Sequence, residues 1–284
     1  MNAMTRYVIY FIAFAFPFPV FAIADEILET LPNGLQVYAD YYDGEEGKVA
    51  ILVQHGFMAT HRFPTVENLV GELADQGYTV LAPTLSLNIP LRKTAIACDT
   101  IHTHHFDMDK DELEWWLKWL ENKGHEKIVL IGHSSGSLLA LAYVQKNPLE
   151  AVQLVIDTSL TYFESGESDT QQNAREKGGG HSSTVLKEHY LSYCKGNYLS
   201  PENAYLSYAS WNSERVLSAV KETYISLEVV MGGRDERQNP DWLTALQKAG
   251  AKVTIIDGAN HFFDSEHEFE LHDAVTTLLT EYGY

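Results

Sequence analysis

With 284 residues, 45% of them hydrophobic and 21% charged, the chain has the make-up of a globular protein with a full-sized core, which excludes general disorder. Its 39 acidic against 20 basic side chains leave a net charge of -19, which opposes long-range attraction to nucleic-acid phosphates and anionic lipid and favours neutral or cationic substrates. The length fits one domain with an insertion.

Residues 1–24 carry one charge, Arg6, then the apolar run Tyr7 to Phe21, then Ala22-Ile23-Ala24 ahead of Asp25-Glu26. The run is short for a membrane span, contains Pro17 and Pro19, and ends in the small-x-small pattern that a signal peptidase reads. The expectation is a secretory signal peptide over 1–24, export to a periplasm or the medium, and no stable membrane insertion after cleavage. An uncleaved anchor is the alternative. Cys98 and Cys194 are the two cysteines. In an oxidising compartment they allow one disulfide, and two buried thiols are the alternative.

Leu35 to Tyr42 reads as a strand, Asp43 to Gly47 as a turn, and Lys48 to Val53 as a strand apolar on both faces; the two strands look like a hairpin. A strand apolar on both faces belongs inside a sheet covered on both sides. Pro64 to Gln76 has helical spacing closed by Gly77, and Tyr78 to Pro83 is the next strand, so this crossover predicts parallel pairing. A long irregular stretch to about Phe106 predicts a functional or covering loop. Asp109 to Lys123 predicts an amphipathic helix on Leu113, Trp116, Leu117 and Leu120.

Ile128 to Ile131 is a short apolar run that ends in Gly132-His133-Ser134-Ser135-Gly136, followed by an Ala/Leu-rich helical segment to Gln145. A strand, Gly-x-Ser-x-Gly and a helix, in that order, describe a sharp turn that lifts Ser134 out at the sheet edge. Ser135 opens the helix, so its backbone N–H faces the place where an oxyanion would develop. Val152 to Asp157 is the next strand. From about 160 to 215 the alternation of strand and helix fails: Gly178-Gly179-Gly180 marks a flexible link, and Tyr190, Tyr193, Tyr198, Tyr205, Tyr208 and Trp211 crowd together. This predicts a cap insertion whose rings both line a pocket and pack a small core of their own. The strand Ile225 to Met231, the helix Pro240 to Ala249, the strand Lys252 to Asp257 and a helix over Ser265 to Glu281 complete the chain.

The elbow and its flanks resemble the nucleophile motif of α/β-hydrolase-fold enzymes, in the Gly-His-Ser-x-Gly form frequent among esterases and lipases. That resemblance implies an α/β fold with a central, mostly parallel sheet flanked by helices, and a cap insertion, over residues 25–284. It makes Ser134 the nucleophile, His261 the general base and Asp235 the orienting carboxylate, each just past a strand and in the family's order of Ser, acid, His. His55-Gly56-Phe57 matches the family's oxyanion loop, so Phe57 and Ser135 supply the oxyanion N–H groups. Asp157 also follows a strand and is the rival acid, while Asp257 and Asp264 flank His261. His133 reads as a packing or hydrogen-bonding neighbour.

A rival site is His102-Thr103-His104-His105-Phe106-Asp107, where two histidines share a face of an extended segment and a carboxylate follows. No fourth ligand is fixed by spacing, and a hydrated loop at the pocket rim is the other reading. His267-Glu268 is followed by His272, so His-Glu-x-x-His is absent. The expected activity is hydrolysis of a small-molecule ester or acyl substrate through an acyl-enzyme, with no cofactor, metal or nucleic-acid partner. A peptidase, thioesterase or acyltransferase uses the same machinery, and a secreted binding protein that has lost turnover is the alternative of another class.

Overall fold

The computed structural model describes residues 22–166, 185–237 and 241–284. Residues 1–21 of the expected signal segment and the Gly178-Gly179-Gly180 link lie outside the described residues. The strands β1 (Asp25–Thr30), β2 (Gln36–Tyr42), β3 (Ala50–Gln54), β4 (Thr79–Thr84), β5 (Ile128–His133) and β6 (Val152–Thr158) are followed by an antiparallel pair, β7 (Leu186–Leu191) and β8 (Cys194–Pro201). β9 (Ser226–Gly232) and β10 (Lys252–Ile256) then return to the main sheet, whose order is β1-β2-β4-β3-β5-β6-β9-β10. Every pairing from β4 to β10 is parallel, whereas β2 runs antiparallel to both β1 and β4.

The hairpin expected between β2 and β3 does not form. β2 pairs instead with β1, across a turn in which Gly34 N–H donates to Leu31 O at 2.8 Å and Leu35 N–H to Asn33 Oδ1 at 3.0 Å. β3 is buried along its whole length, so it needs cover on both faces and takes a central place between β4 and β5. The intervening turn carries the chain past the start of β4, where a Cβ on Gly44 would lie 2.2 Å from Thr79 N.

Seven helices occur among the described residues: α1 (Pro64–Asp75), α2 (Phe106–Asn122), α3 (Ser135–Val144), α4 (Glu202–Ala209), α5 (Ser213–Glu222), α6 (Trp242–Ala249) and α7 (His267–Glu281). Side chains alternate across β5: Ile128 and Leu130 join the core under α2, α3, α5 and α6, while Val129 and Ile131 join the core under α1 and α7. All four are fully buried, each stabilising the fold by roughly 1.5–3 kcal/mol. α3 is buried on nearly all sides, as its Leu/Ala composition requires. No helix among the described residues is long and apolar enough to cross a membrane.

Between β6 and β9 the chain leaves the sheet to form β7, β8, α4 and α5. A disulfide joins Cys194 in β8 to Cys98 in the loop between β4 and α2, with the Cα atoms 5.5 Å apart. Of the crowded rings there, Tyr198, Tyr205, Tyr208 and Trp211 are buried, whereas Tyr193 is half exposed.

Candidate active site

The elbow follows from three close backbone approaches. A Cβ on Gly132 would lie 2.4 Å from Ser137 N, and one on Gly136 would lie 2.4 Å from Gln54 O, so both positions need glycine. Ser134 between them has φ 57° and ψ -122°, a strained conformation for a residue with a Cβ. Ser134 N–H donates to Thr158 O at 2.9 Å, and the single Ser137 hydroxyl lies between Gly132 O and Thr158 O, 2.9 and 2.8 Å away, which holds the turn against β6.

The parallel sheet brings the ends of β3, β5, β9 and β10 to one edge. There Ser134 Oγ lies 2.8 Å from His261 Nε2, and His261 Nδ1 lies 2.7 Å from Asp235 Oδ2. The His261 and Asp235 side chains are each only 4% exposed, so water does not compete for this bond. Since the carboxylate can only accept, Nδ1 carries the proton and Nε2 faces the serine hydroxyl as an acceptor. Two backbone bonds fix the partners: Arg237 N–H donates to Asp235 Oδ1 at 3.0 Å, and Ser159 Oγ donates to His261 O at 2.8 Å.

Asp157 does not take part. It is fully buried within β6, neither carboxylate oxygen has a hydrogen-bond partner among the described residues, and burial pushes its carboxyl well above the usual range. Asp264 accepts from Asn260 Nδ2 at 2.8 Å instead of meeting the His261 ring. His133 is buried, with Nδ1 3.0 Å from Thr158 Oγ1, and burial holds it well below the usual histidine range and therefore neutral.

Phe57 follows β3 and faces the elbow. Among the described residues neither its N–H nor that of Ser135 is donated to another group. The loop carrying Phe57 is pinned from three directions. His55 Nδ1–H donates to Gly56 O at 2.8 Å while Nε2 accepts from Leu85 N–H at 3.0 Å, a pattern that needs the neutral ring its burial enforces. The buried Arg92 donates to Ala59 O at 2.8 Å, to Leu85 O at 2.7 Å and to Thr94 O at 2.9 Å. Tyr193 Oη donates to Phe57 O at 3.1 Å. The Phe57 ring lies among Phe163, Tyr193, Tyr198 and Tyr208, with centroids 5.0–5.9 Å away.

A cavity of about 860 Å³ opens onto Ser134 and His261, and its walls include Phe57, Phe63, Phe163, Tyr193, Arg237 and Phe262. That size suits a small-molecule ligand. A much smaller cavity of about 20 Å³ lies on the other side of Phe57, against Asp109 and Tyr208.

The histidine cluster packs inward. His102 stacks on Tyr198 with centroids 4.2 Å apart and donates from Nε2 to Cys98 O, while His104 Nδ1 bonds Tyr208 Oη, which donates in turn to Asp109 Oδ2. Burial drives His104 down to about 3 and Asp109 well up, so both are neutral. Asp107 points away to Lys110. Among the described residues no three potential ligands converge on a metal position.

Arg92, Ser159 and Tyr193 carry no motif in the sequence. Each acts on backbone 30 or more positions away, and an arginine buried without an ion pair among the described residues is improbable from residue type alone.

Comparison with known proteins bears on the fold and the family. A family model described as the alpha/beta hydrolase family matches residues 50–274. Among solved structures, an esterase of Pyrococcus furiosus is similar with 15% identity over 92% of this chain and 91% of its own, at a TM-score of 0.61. Est1E from Butyrivibrio proteoclasticus is 16% identical over 92% and 98% of the two chains (TM-score 0.62), and a thioesterase domain from the curacin biosynthetic pathway is 15% identical over 91% and 99% (TM-score 0.61). Comparison with curated protein sequences gives no match. The fold, the elbow and the family match lead to one conclusion: this chain belongs to the alpha/beta hydrolase family.

Proposed function

We propose that this hydrolase cleaves a carboxylic ester through a Ser134-His261-Asp235 triad and an acyl-enzyme. The observation that carries the reading is the continuous pair of bonds, 2.8 and 2.7 Å, from Ser134 through both nitrogens of His261 to Asp235, at the foot of an open cavity. Ser134 Oγ attacks the carbonyl carbon as its proton passes to His261 Nε2. The N–H groups of Phe57 and Ser135 hold the oxyanion, and Asp235 stabilises the imidazolium. His261 then protonates the departing alkoxide. Water repeats the sequence on the acyl-enzyme to release the acid and free Ser134.

Esterases among the similar structures support the ester reading, and the curacin thioesterase domain supports a thioester as the second candidate. A binding protein without turnover is disfavoured, because the cavity reaches Ser134 rather than being filled. We read β7, β8 and α4 as the cap, since Tyr193 and Lys195 face the cavity from that segment. Export is part of the proposal: the Cys98–Cys194 bond suits an oxidising compartment, and β1 begins at Asp25, next to the expected cleavage site. Labelling with a fluorophosphonate followed by peptide mapping tests the nucleophile. Modification at Ser134 is expected, and modification elsewhere or none refutes the assignment.

A further inference from the structure

The cavity over Ser134 contains a cation that the reaction outlined above does not use. Arg237 follows the β9 turn two residues after Asp235, and its backbone N–H is bonded to that carboxylate, so its position is tied to the triad. The guanidinium lies over the Phe262 ring, 4.4 Å from the centroid, and 5.8 Å from the centroid of Tyr193. Phe262 in turn meets the His261 ring edge to face at 5.1 Å. The charge is therefore held by two aromatic rings, one of them directly beside the catalytic imidazole.

Among the described residues no carboxylate comes within ion-pair distance of Arg237, although Glu164 and Glu236 line the same cavity. Lys195, which lines the same cavity, likewise has no ion pair among the described residues. The Arg237 Cζ sits over the Phe262 ring, and among the described residues its guanidinium N–H groups have no carboxylate partner. That arrangement suits two parallel bonds to a planar carboxylate. Lysine offers a point charge without this geometry.

We infer that Arg237 selects a substrate bearing a second, free carboxylate, so that the ester cleaved is a monoester of a diacid or an ester of a hydroxy acid. The inference rests on the ester-hydrolase reading and adds the substrate class to it. The net charge of -19 favours neutral or cationic ligands only at long range. Salt screens that field beyond about 8–10 Å, whereas Arg237 acts in contact.

The test compares the p-nitrophenyl monoester of adipic acid with its methyl-capped neutral counterpart, and 4-acetoxybenzoate with its methyl ester. The first pair places the carboxylate on the acyl side and the second on the alcohol side. In one of the pairs the wild-type kcat/KM should favour the free carboxylate by about ten-fold, mainly through KM. The preference should shrink as salt rises from about 0.05 to 0.5 M. Arg237→Gln should bring the ratio close to one, and Arg237→Lys should retain only part of it. Hydrolysis of the capped esters with no preference for the carboxylate in either pair overturns this inference and leaves the hydrolase reading intact. A preference that persists in Arg237→Gln also overturns it. No hydrolysis of any of the four esters overturns both.

Discussion

Tyr193 donates its hydroxyl to the carbonyl of Phe57 at 3.1 Å, and the next residue, Cys194, is bonded to Cys98. The hairpin tip that touches the Phe57 loop is therefore anchored covalently to the loop preceding α2. The cystine closes a span of 96 residues, for which unfolded-state entropy predicts a stabilisation of about 4 to 5 kcal/mol. Denatured, unreduced protein should show no titratable thiol. Reduction should lower the melting temperature by several degrees, and so should a Cys98→Ser, Cys194→Ser double variant. Two titratable thiols in the unreduced protein would remove the bond from the account.

Arg92 leads to a second expectation. Its guanidinium serves carbonyls in two loops, including Ala59 just past Phe57, with no ion pair among the described residues to help it. Burial brings its ionisation down to about 10, so it stays charged at neutral pH. Arg92→Met leaves those carbonyls without donors, at about 1.5–3 kcal/mol for each charge-assisted bond lost, and frees the Phe57 N–H to wander. Ester hydrolysis should lose kcat by about ten-fold or more with little change in KM. Arg92→Lys should recover part of kcat. A pure stability loss with unchanged kcat in the folded fraction would show that Arg92 has no hold on the oxyanion loop.

Glu112 gives stability a pH dependence of definite sign. It is buried in α2, accepts from Ser86 N–H at 2.9 Å and from Ser86 Oγ at 2.5 Å, and burial raises its carboxyl to about 7 from 4.5. The folded state thus holds a proton that the unfolded state has released, so the stabilisation is present below about pH 4.5 and is lost as pH rises to about 7. Over that window Glu112→Gln, which cannot titrate, should gain on the wild type by about 3 kcal/mol. Denaturant melts of both proteins at several pH values would measure the gap. A gap that stays constant between pH 4.5 and 7 would mean that Glu112 ionises normally.

Ser134, Asp235 and His261 are legible as candidates because each is attached to a local pattern: Ser134 to two glycines that the backbone requires, Asp235 and His261 to the ends of apolar strands. The central strands were legible for the same reason, since a run such as Ile128 to Ile131 must be covered on both faces. Pairing was less accessible. The eye is drawn from β2 to the next apolar run, β3, yet the partner is β1, which looks polar because one face of it is exposed. Asn33-Gly34 was the available signal for that turn. Motif order favours Asp235 over Asp157 as the proposed acid, and it is Asp235 that bonds His261 Nδ1. By contrast, Ser159 and Arg92 act through contacts that only the folded chain creates, such as the bond from Ser159 Oγ to a carbonyl 102 residues away.

The decisive measurement concerns Ser134, His261 and Asp235 as a unit. Ser134→Ala removes the atom that attacks, and ester hydrolysis should fall on the order of 10⁴-fold or more. His261→Ala should fall similarly, because a serine hydroxyl without a base is a weak nucleophile at neutral pH. The double variant should be little slower than either single, since each change alone already disables covalent attack. Additive losses would mean that the two side chains act independently, despite the 2.8 Å between them. Asp235→Asn should be less severe yet large: the amide can present its NH2 to Nδ1, which favours the tautomer with a proton on Nε2, the nitrogen that must accept from Ser134. Asp157→Asn serves as the comparison, because that carboxyl is buried in β6 away from any hydrogen-bond partner and its loss should not change kcat in the folded protein. If Asp157→Asn stopped turnover while Asp235→Asn did not, the acid would have to be reassigned. If Ser134→Ala kept near-full activity, the triad itself would fall.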